Sequence, residues 1–562
     1  MPSFLEELTA GRVAWELISP FPSQDEADLR SGDDAVAELS RLLTGLADPD
    51  EIEKTRQIPG ELLGELRKGG WLALAAPSES GGRGLSERNV FRVVHAAAGW
   101  SVPVAQVMAV QAAIGVGALL PAVGDGPLRE YLRARVADGL LSGSADTEPS
   151  GAANQGRETT ATPVDGGFLL NGQKIHIGNG SVAKTLIVSA TVPVDGVPAR
   201  RLFLVDTDSP GFEVGITHEF MGLHGFPIAA LSFTDVRVPA EHMLPEASSG
   251  TRLTPTLFQL VVTGRMYLIA APSLAIARRC AQWAREFAGP RVIDSRPLAE
   301  YDQVQRLIAA NLADTFAIDT VARWALHSPR AGRLNLLPEQ LAAKNIASVT
   351  CWRVLDRTMS LLAGEGFETA SSKAARGAAP LPLERAYRDA RGFRISGGVD
   401  FLLDYWASTM FTLTHYYPQP PDIPAEPDVS WCAGTGLTPR NQEHLADLVR
   451  AAHRFARTTH ALSRKHSREE LGTQQARLIA LNRVLDEVAT CALVLARAAG
   501  PEDVQELADV FCTAASRRLS DHWLAVDEAG APDHATVTAK WMSRDGLDFL
   551  GEDLVPGRET GN

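Results

Sequence analysis

From Asp33 the apolar positions fall at helical spacing. Leu39, Leu42, Leu43 and Leu46 recur every three or four residues, which places them on one face of an α-helix. A second helix carries Leu62, Leu63 and Leu66 and runs out at Gly69-Gly70; a turn cluster spans 77–84, and more helix is expected across 90–120. Between about 140 and 245 the pattern changes. Apolar residues alternate across this stretch and turn pairs are frequent: 185–190, 201–205 and 230–238 read as strands, and Asp165-Gly166-Gly167 and Asn171-Gly172 as hairpin turns. Helical spacing returns at Leu257, where Pro272 is expected to kink or interrupt the helix. Two further helices are expected over 300–326 and 338–362. The segment 416–427 is rich in proline and reads as a linker. Beyond it Leu445, Leu448, Val449, Ala452, Phe455 and Ala456 form one apolar stripe, and Gly500-Pro501-Glu-Asp stops one helix and starts another.

This pattern divides the chain into a loose tail (1–32), a helical domain (33–139), a β domain (140–250), a helical bundle (251–415), a linker (416–440), a C-terminal helical domain (441–530) and a final tail (531–562). The fold class is α+β. Helices, then strands, then helices excludes a Rossmann fold, which alternates the two, and neither GxGxxG nor GxxxxGK[ST] occurs. The net charge of −14 argues against binding nucleic acid. Five widely spaced cysteines with no CxxC pair argue against a disulfide framework or a zinc site and suit a reducing, cytoplasmic setting. The N-terminus does not read as a signal peptide. No stretch reads as apolar for the length of a membrane span. The basic face of the helix near 445–465 (Arg450, Arg454, Arg457, Arg464 and Lys465) reads as a solvated surface rather than a membrane contact.

Six segments, in order, resemble acyl-CoA dehydrogenases. Pro77 to Gly84 is similar to the family's PxxxGGxG, and Thr147-Glu-Pro-Ser-Gly-Ala-Ala-Asn154 to its TEPxxGSD. Asn171-Gly-Gln-Lys-Ile-His-Ile-Gly-Asn-Gly180 is similar to NGxKxWITNG, and Met221 to Pro239 to MGxRxSxTxxxxFxDVxVP. Arg291 to Gln305 resembles RxxFGxPLxxxxxxQ, and Ala363-Gly-Glu-Gly-Phe367 with Arg388-Asp-Ala-Arg391 resembles the GGxGF and RDA blocks. The tail from about 440 to 530 resembles the extra helical domain of the very-long-chain branch. The resemblance implies an N-terminal helical domain, a middle β domain and a C-terminal four-helix bundle, plus that extra domain. It also implies FAD, an acyl-CoA or acyl-carrier-protein thioester as substrate, a homodimer and an electron-transfer partner.

By the same resemblance Thr147, His176 and Gly178 border the flavin ring. Arg291, Gln305, Gly364 and Gly366 serve the rest of the cofactor, and Arg388 with Asp389 is a structural pair. The departures concern chemistry. The family's catalytic glutamate follows RDA in RDAxxxxIxEGT; here that position is Gly397, and Val399 replaces the threonine. The other family position for the base, just before an arginine, is Gly264. His176 replaces a tryptophan, Gly178 a threonine, Ala153-Asn154 the Ser-Asp pair, Asp294 an aromatic and Ser360 a glutamine; about ten residues are inserted near 371–379. No metal site is expected. Of the remaining groups His176 is the sharpest candidate base, because imidazole titrates near neutral pH; Asp400 and Glu365 lie close by in sequence. Three functions stay open: a flavoprotein with altered or lost α,β-dehydrogenation, a flavin monooxygenase in which Gly178 opens a path for oxygen, and a non-catalytic scaffold.

Overall fold

The computed structural model describes residues 3–154, 156–194, 196–245, 254–327, 334–417, 421–527, 532–543 and 546–552. The first helices of the N-terminal region follow the expected stripes. Asp25 caps the helix Glu26–Leu46 through the N–H groups of Ala27 and Asp28, and Ser86 caps Glu87–Trp100. Leu39 and Leu43 are buried, with Leu42 and Leu46 packed at their side.

The middle region is a seven-stranded sheet. Its strands are β1 (Ser142–Ala145), β2 (Thr160–Val164), β3 (Gly167–Gly178), β4 (Thr185–Val194), β5 (Val197–Asp206), β6 (Phe212–Thr217) and β7 (Ile228–Pro239). The order is β1-β4-β2-β3-β7-β6, with β5 paired to β4. β1 runs parallel to β4, and β3 lies antiparallel to both β2 and β7. Alternate residues such as Leu186, Val188, Phe203, Val205, Leu231 and Phe233 close a separate small core. Asp165-Gly166 forms the expected hairpin turn between β2 and β3. Asn171-Gly172 does not form one. It lies within β3 at a bulge, where the register against β7 shifts. Gly172 has φ +148°, and a Cβ there would come within 2.7 Å of Thr159. The Asn171 amide is spent across the sheet, bonding the Asp235 carboxylate and accepting from the Asp235 N–H, each at 2.9 Å.

Pro272 does not break its helix. Helical structure runs from Pro255 to Ala288, and the misfit is absorbed by a π turn at Met266–Ala270. Proline has no N–H to offer the carbonyl of Leu268; Gln106 Nε2 reaches from the N-terminal region and donates to that carbonyl at 2.8 Å. This helix and the segment Val102–Ala122 are long and apolar enough to cross a membrane, contrary to the reading of the sequence, and both are largely buried inside the protein. Their apolar character is therefore matched by packing.

Residues before Asp33 are not a loose tail. The helix Phe4–Thr9 is capped by Ser3, and Phe4, Leu5 and Leu8 are buried. Phe4 meets Trp324 edge to face at 6.3 Å, and Tyr416 donates its hydroxyl to the carbonyl of Thr9 at 2.6 Å. The sequence hides this, because six residues give too short a stripe to stand out from a polar surround. The C-terminal helices Pro439–Lys465, Gln475–Ala498 and Gln505–Asp527 share one continuous core with the bundle, from Phe4 to Val526. The six-residue stripe on Pro439–Lys465 is buried as expected. On its basic face Arg450 pairs with Asp447, and Arg454 with Asp527 while lying over the Trp523 ring. The expected linker falls partly outside the described residues. In the final segment the helix His534–Met542 buries no residue.

Glu339 anchors the N-terminal helix. One carboxylate oxygen accepts from Ser3 Oγ at 2.9 Å and from the Leu5 N–H at 3.1 Å. Burial outweighs those bonds and pushes the carboxyl from 4.5 up to about 7. The fold therefore favours the protonated group, and stability is lost as pH rises from 4.5 through 7. Glu339→Gln keeps an accepting oxygen without the charge. Between pH 4 and pH 8 the variant is expected to gain on the wild type by on the order of 2 kcal/mol, read from thermal unfolding at each pH. An unchanging difference would show that this carboxylate is not held neutral.

Candidate functional site

The helix Leu383–Phe393 ends in a loop that carries Gly397 and Gly398, at φ +69° and +108°. Both are left-handed conformations that glycine tolerates best. The loop lies against the helix bearing Gly264 and Arg265, so the two family base positions lie on adjoining segments. Arg265 Nε donates to the carbonyl of Gly397 at 2.9 Å, and Lys344 Nζ to that of Gly398 at 2.7 Å. Burial pulls the Lys344 ammonium down to about 8. The two glycines differ in what they leave open. A Cβ on Gly264 would lie 2.7 Å from Ala113 Cβ and 3.0 Å from its Cα, so that position is closed by packing. A Cβ on Gly397 would meet Arg265 and Ile269 at 3.7–3.9 Å, ordinary contact distances.

Neither nearby acid is free to replace the missing carboxylate. Asp400 accepts from Arg394 Nε at 2.7 Å and from the Phe401 N–H at 2.8 Å. Glu365 pairs with Arg376 at 2.9 Å and faces Arg291 at 3.9 Å. His176 sits on β3 at φ +57°, exposed, with its ring against His218 at 4.7 Å and Phe220 at 5.5 Å. Its described ring contacts are confined to this group.

Thr147 follows β1 and is half-buried; its carbonyl accepts from the Ile175 N–H at 2.9 Å, which sets it beside His176. The next residue, Glu148, is buried against Lys174 at 2.8 Å, with 1% and 0% of the side chains exposed. Burial alone would raise the Glu148 carboxyl. Lys174 and the N–H groups of Glu158 and Thr159 outweigh it and hold the group down to about 2. Sequence reading missed this pair, although both residues fall inside quoted motifs. Gly178 does not open the expected space: a Cβ there would lie 2.8 Å from the Phe226 ring and 3.5 Å from Val110. Phe226 takes the position of the serine in MGxRxS, so the glycine and the phenylalanine compensate in volume. The paired departure was the available signal.

Arg291 lies with its guanidinium 3.6 Å from the centre of the Phe287 ring and donates to the Phe287 carbonyl at 3.0 Å. It borders a cavity of about 220 Å³ shared with Glu365, Lys373 and Leu381. The insertion closes this region: Lys373 is buried and donates to the Glu365 carbonyl at 2.8 Å, while Arg376 binds both Glu365 and Glu368. Gly364 is open on its side-chain face, whereas Gly366 is packed on Met359, Leu362 and Leu383. Gln305 is exposed on the helix Asp302–Ala325. The described contacts thus assemble two groups. One contains Thr147, His176 and Gly178, and the other Arg291 with the Gly364–Gly366 turn. No described side-chain bond joins them or brings Gln305 into either.

Arg388 and Asp389 do not pair with each other. Arg388 binds Glu53 at 2.6 Å and Glu384 at 2.9 Å, while Asp389 accepts from the Leu223 N–H at 2.5 Å. Burial, with Glu53 adding to it, pushes the Asp389 carboxyl up to about 7. His224, which takes the arginine position of MGxRxS, turns to Glu53 at 3.0 Å. These contacts tie the loop after β6 to the C-terminal bundle.

A seven-stranded β domain set between helical regions is the layout of the acyl-CoA dehydrogenase class. The chain belongs to the acyl-CoA dehydrogenase family: its N-terminal, middle and C-terminal domain profiles match residues 41–139, 143–236 and 262–401. FadE10 of Mycobacterium tuberculosis, which carries the name probable acyl-CoA dehydrogenase, is 28% identical over all of this chain and 89% of its own length. The human very long-chain specific acyl-CoA dehydrogenase is 25% identical over 71% of this chain and 61% of its own. The structure of a Bacillus anthracis acyl-CoA dehydrogenase complexed with FAD superimposes with a TM-score of 0.75 at 19% identity, covering 98% of this chain and 96% of that one. That coverage includes the C-terminal helices.

Proposed function

We propose that this chain is a flavoprotein that binds an acyl thioester, on CoA or on an acyl-carrier protein, and lacks the side chain by which its family removes the α-proton. The observation that carries this reading is the meeting of the Gly397 loop with Arg265, the neighbour of Gly264: the two base positions lie on adjoining segments, and neither has a proton acceptor.

The residues present fit FAD. Arg291 keeps about two-fifths of its side chain exposed near Glu365, the neighbour of Gly364, whose side-chain face is open, and a guanidinium so placed suits a pyrophosphate. Thr147, His176 and Gly178 would border the ring. When bound, FAD supplies a hydride acceptor. The chain's own residues then bind and orient. The Glu148–Lys174 pair fixes the backbone next to Thr147, Phe226 excludes solvent above Gly178, and Arg265 with Lys344 holds the Gly397–Gly398 loop. Proton removal is the step left without a group.

The test is the visible spectrum of the protein after incubation with FAD and gel filtration, followed by titration with butyryl-CoA. A retained flavin spectrum perturbed by the thioester supports the reading. A colourless protein that ignores added FAD would overturn it in favour of a scaffold.

A further inference from the structure

Among the described residues Arg265 is a cation without an acid. It ends the helix Pro255–Arg265, immediately before the π turn, and is half-buried. Its one hydrogen bond among the described residues goes to the carbonyl of Gly397, and none of those residues offers it a carboxylate. The acids of the adjoining segment are already engaged, Asp400 by Arg394 and Asp404 by Arg483. A second cation, Lys344, is wholly buried and bonds the next carbonyl of the same loop. Two positive charges therefore hold consecutive carbonyls of this loop, and Gly397 faces the first of them, Arg265. Burial depresses the Arg265 guanidinium from its ordinary value, with no acid opposing that effect. An unpaired charge in such a place is costly, and a ligand carboxylate would relieve it.

We propose that Arg265 receives a carboxylate carried by the acyl group itself, so that the chain selects thioesters of dicarboxylic acids. The inference rests on the acyl-thioester reading above. A side chain at 397 would begin at ordinary contact distance from Arg265, 3.7 Å from its Cγ and 3.9 Å from its Nε, and the glycine leaves that contact unmade. The guanidinium can present two parallel N–H donors to a carboxylate. Lys344 is too deep to touch the ligand. It is a positioning residue that fixes the loop and adds to the positive potential. A glutamate at 397 would compete for Arg265, so the glycine and this specificity belong together.

The experiment is isothermal titration of the FAD-treated protein with succinyl-CoA and butyryl-CoA, which share the four-carbon chain and differ in the terminal carboxylate. Malonyl-CoA and propionyl-CoA form a shorter pair. The expected result is tighter binding of the dicarboxylic member of at least one pair, by about 10–100-fold, as for a hydrogen bond to a charged group. Arg265→Gln should abolish that preference, and Arg265→Lys should recover part of it. Equal affinity within both pairs would overturn the proposal while leaving the thioester reading intact, as would an Arg265→Gln protein that keeps the preference. Binding of none of the four would overturn both readings. Should the variants fail to fold, the wild-type comparison within each pair decides alone.

Discussion

With butyryl-CoA or palmitoyl-CoA and a dye acceptor, the FAD-loaded protein is expected to turn over on the order of 10⁴-fold more slowly than a family member with glutamate at the position of Gly397. The α-proton of a thioester is weakly acidic, so loss of the base is felt near the upper end of the usual range for general-base catalysis. A replacement from position 264 is excluded by packing, since Ala113 occupies the space a side chain would need. Asp400 and Glu365 are consumed by arginines, and the ring contacts of His176 are with His218 and Phe220. Turnover within tenfold of such a relative would contradict the argument. Gly397→Glu tests it from the other side. The new side chain has room, although φ of +69° costs about 1–2 kcal/mol for a residue with a Cβ. Arg265 beside it would hold the carboxylate ionised. A gain of at least about tenfold over the wild type is expected.

The second large effect concerns stability. Lys174→Met leaves Glu148 buried at the centre of the β domain with backbone donors but no counter-charge. The expected cost is about 3–5 kcal/mol, seen as a lower midpoint for the β-domain transition in calorimetry. Because Glu148 follows Thr147 directly, the same variant should also weaken FAD retention. Lys174→Met combined with Glu148→Gln should recover part of the loss, since the uncompensated charge is then gone. A single variant as stable as the wild type would mean that water or a neighbouring cation reaches Glu148.

The fold was largely readable because its signals are long and periodic. Leu39, Leu42, Leu43 and Leu46, the apolar run of β4, the alternation along β7, and the stripe from Leu445 to Ala456 each repeat often enough to specify one element. Where one residue carried the signal, the reading failed for identifiable reasons. Asn171-Gly172 has turn chemistry, but Thr159 packs against the glycine and makes it a bulge. Pro272 removes one hydrogen bond, but Gln106, more than 160 residues away, supplies another. Phe4–Thr9 is held by Trp324, Glu339 and Tyr416, partners that only the tertiary fold brings near. For the site, motifs placed Gly397 and Gly264, but only the structure shows that their segments adjoin, that one is open and the other closed, and that Arg265 between them has no acid among the described residues. The mutual compensation of Gly178 and Phe226 is likewise a property of two distant positions in contact.

With glycine at both base positions, no side chain of this protein is expected to remove the α-proton of a bound thioester. Proton NMR of butyryl-CoA held in D₂O with the FAD-loaded protein measures this step without requiring turnover. The α-protons should persist with the wild type and exchange for deuterium with Gly397→Glu. Exchange by the wild-type protein at a rate equal to that of the variant would contradict this expectation and point to a base other than the family's two positions.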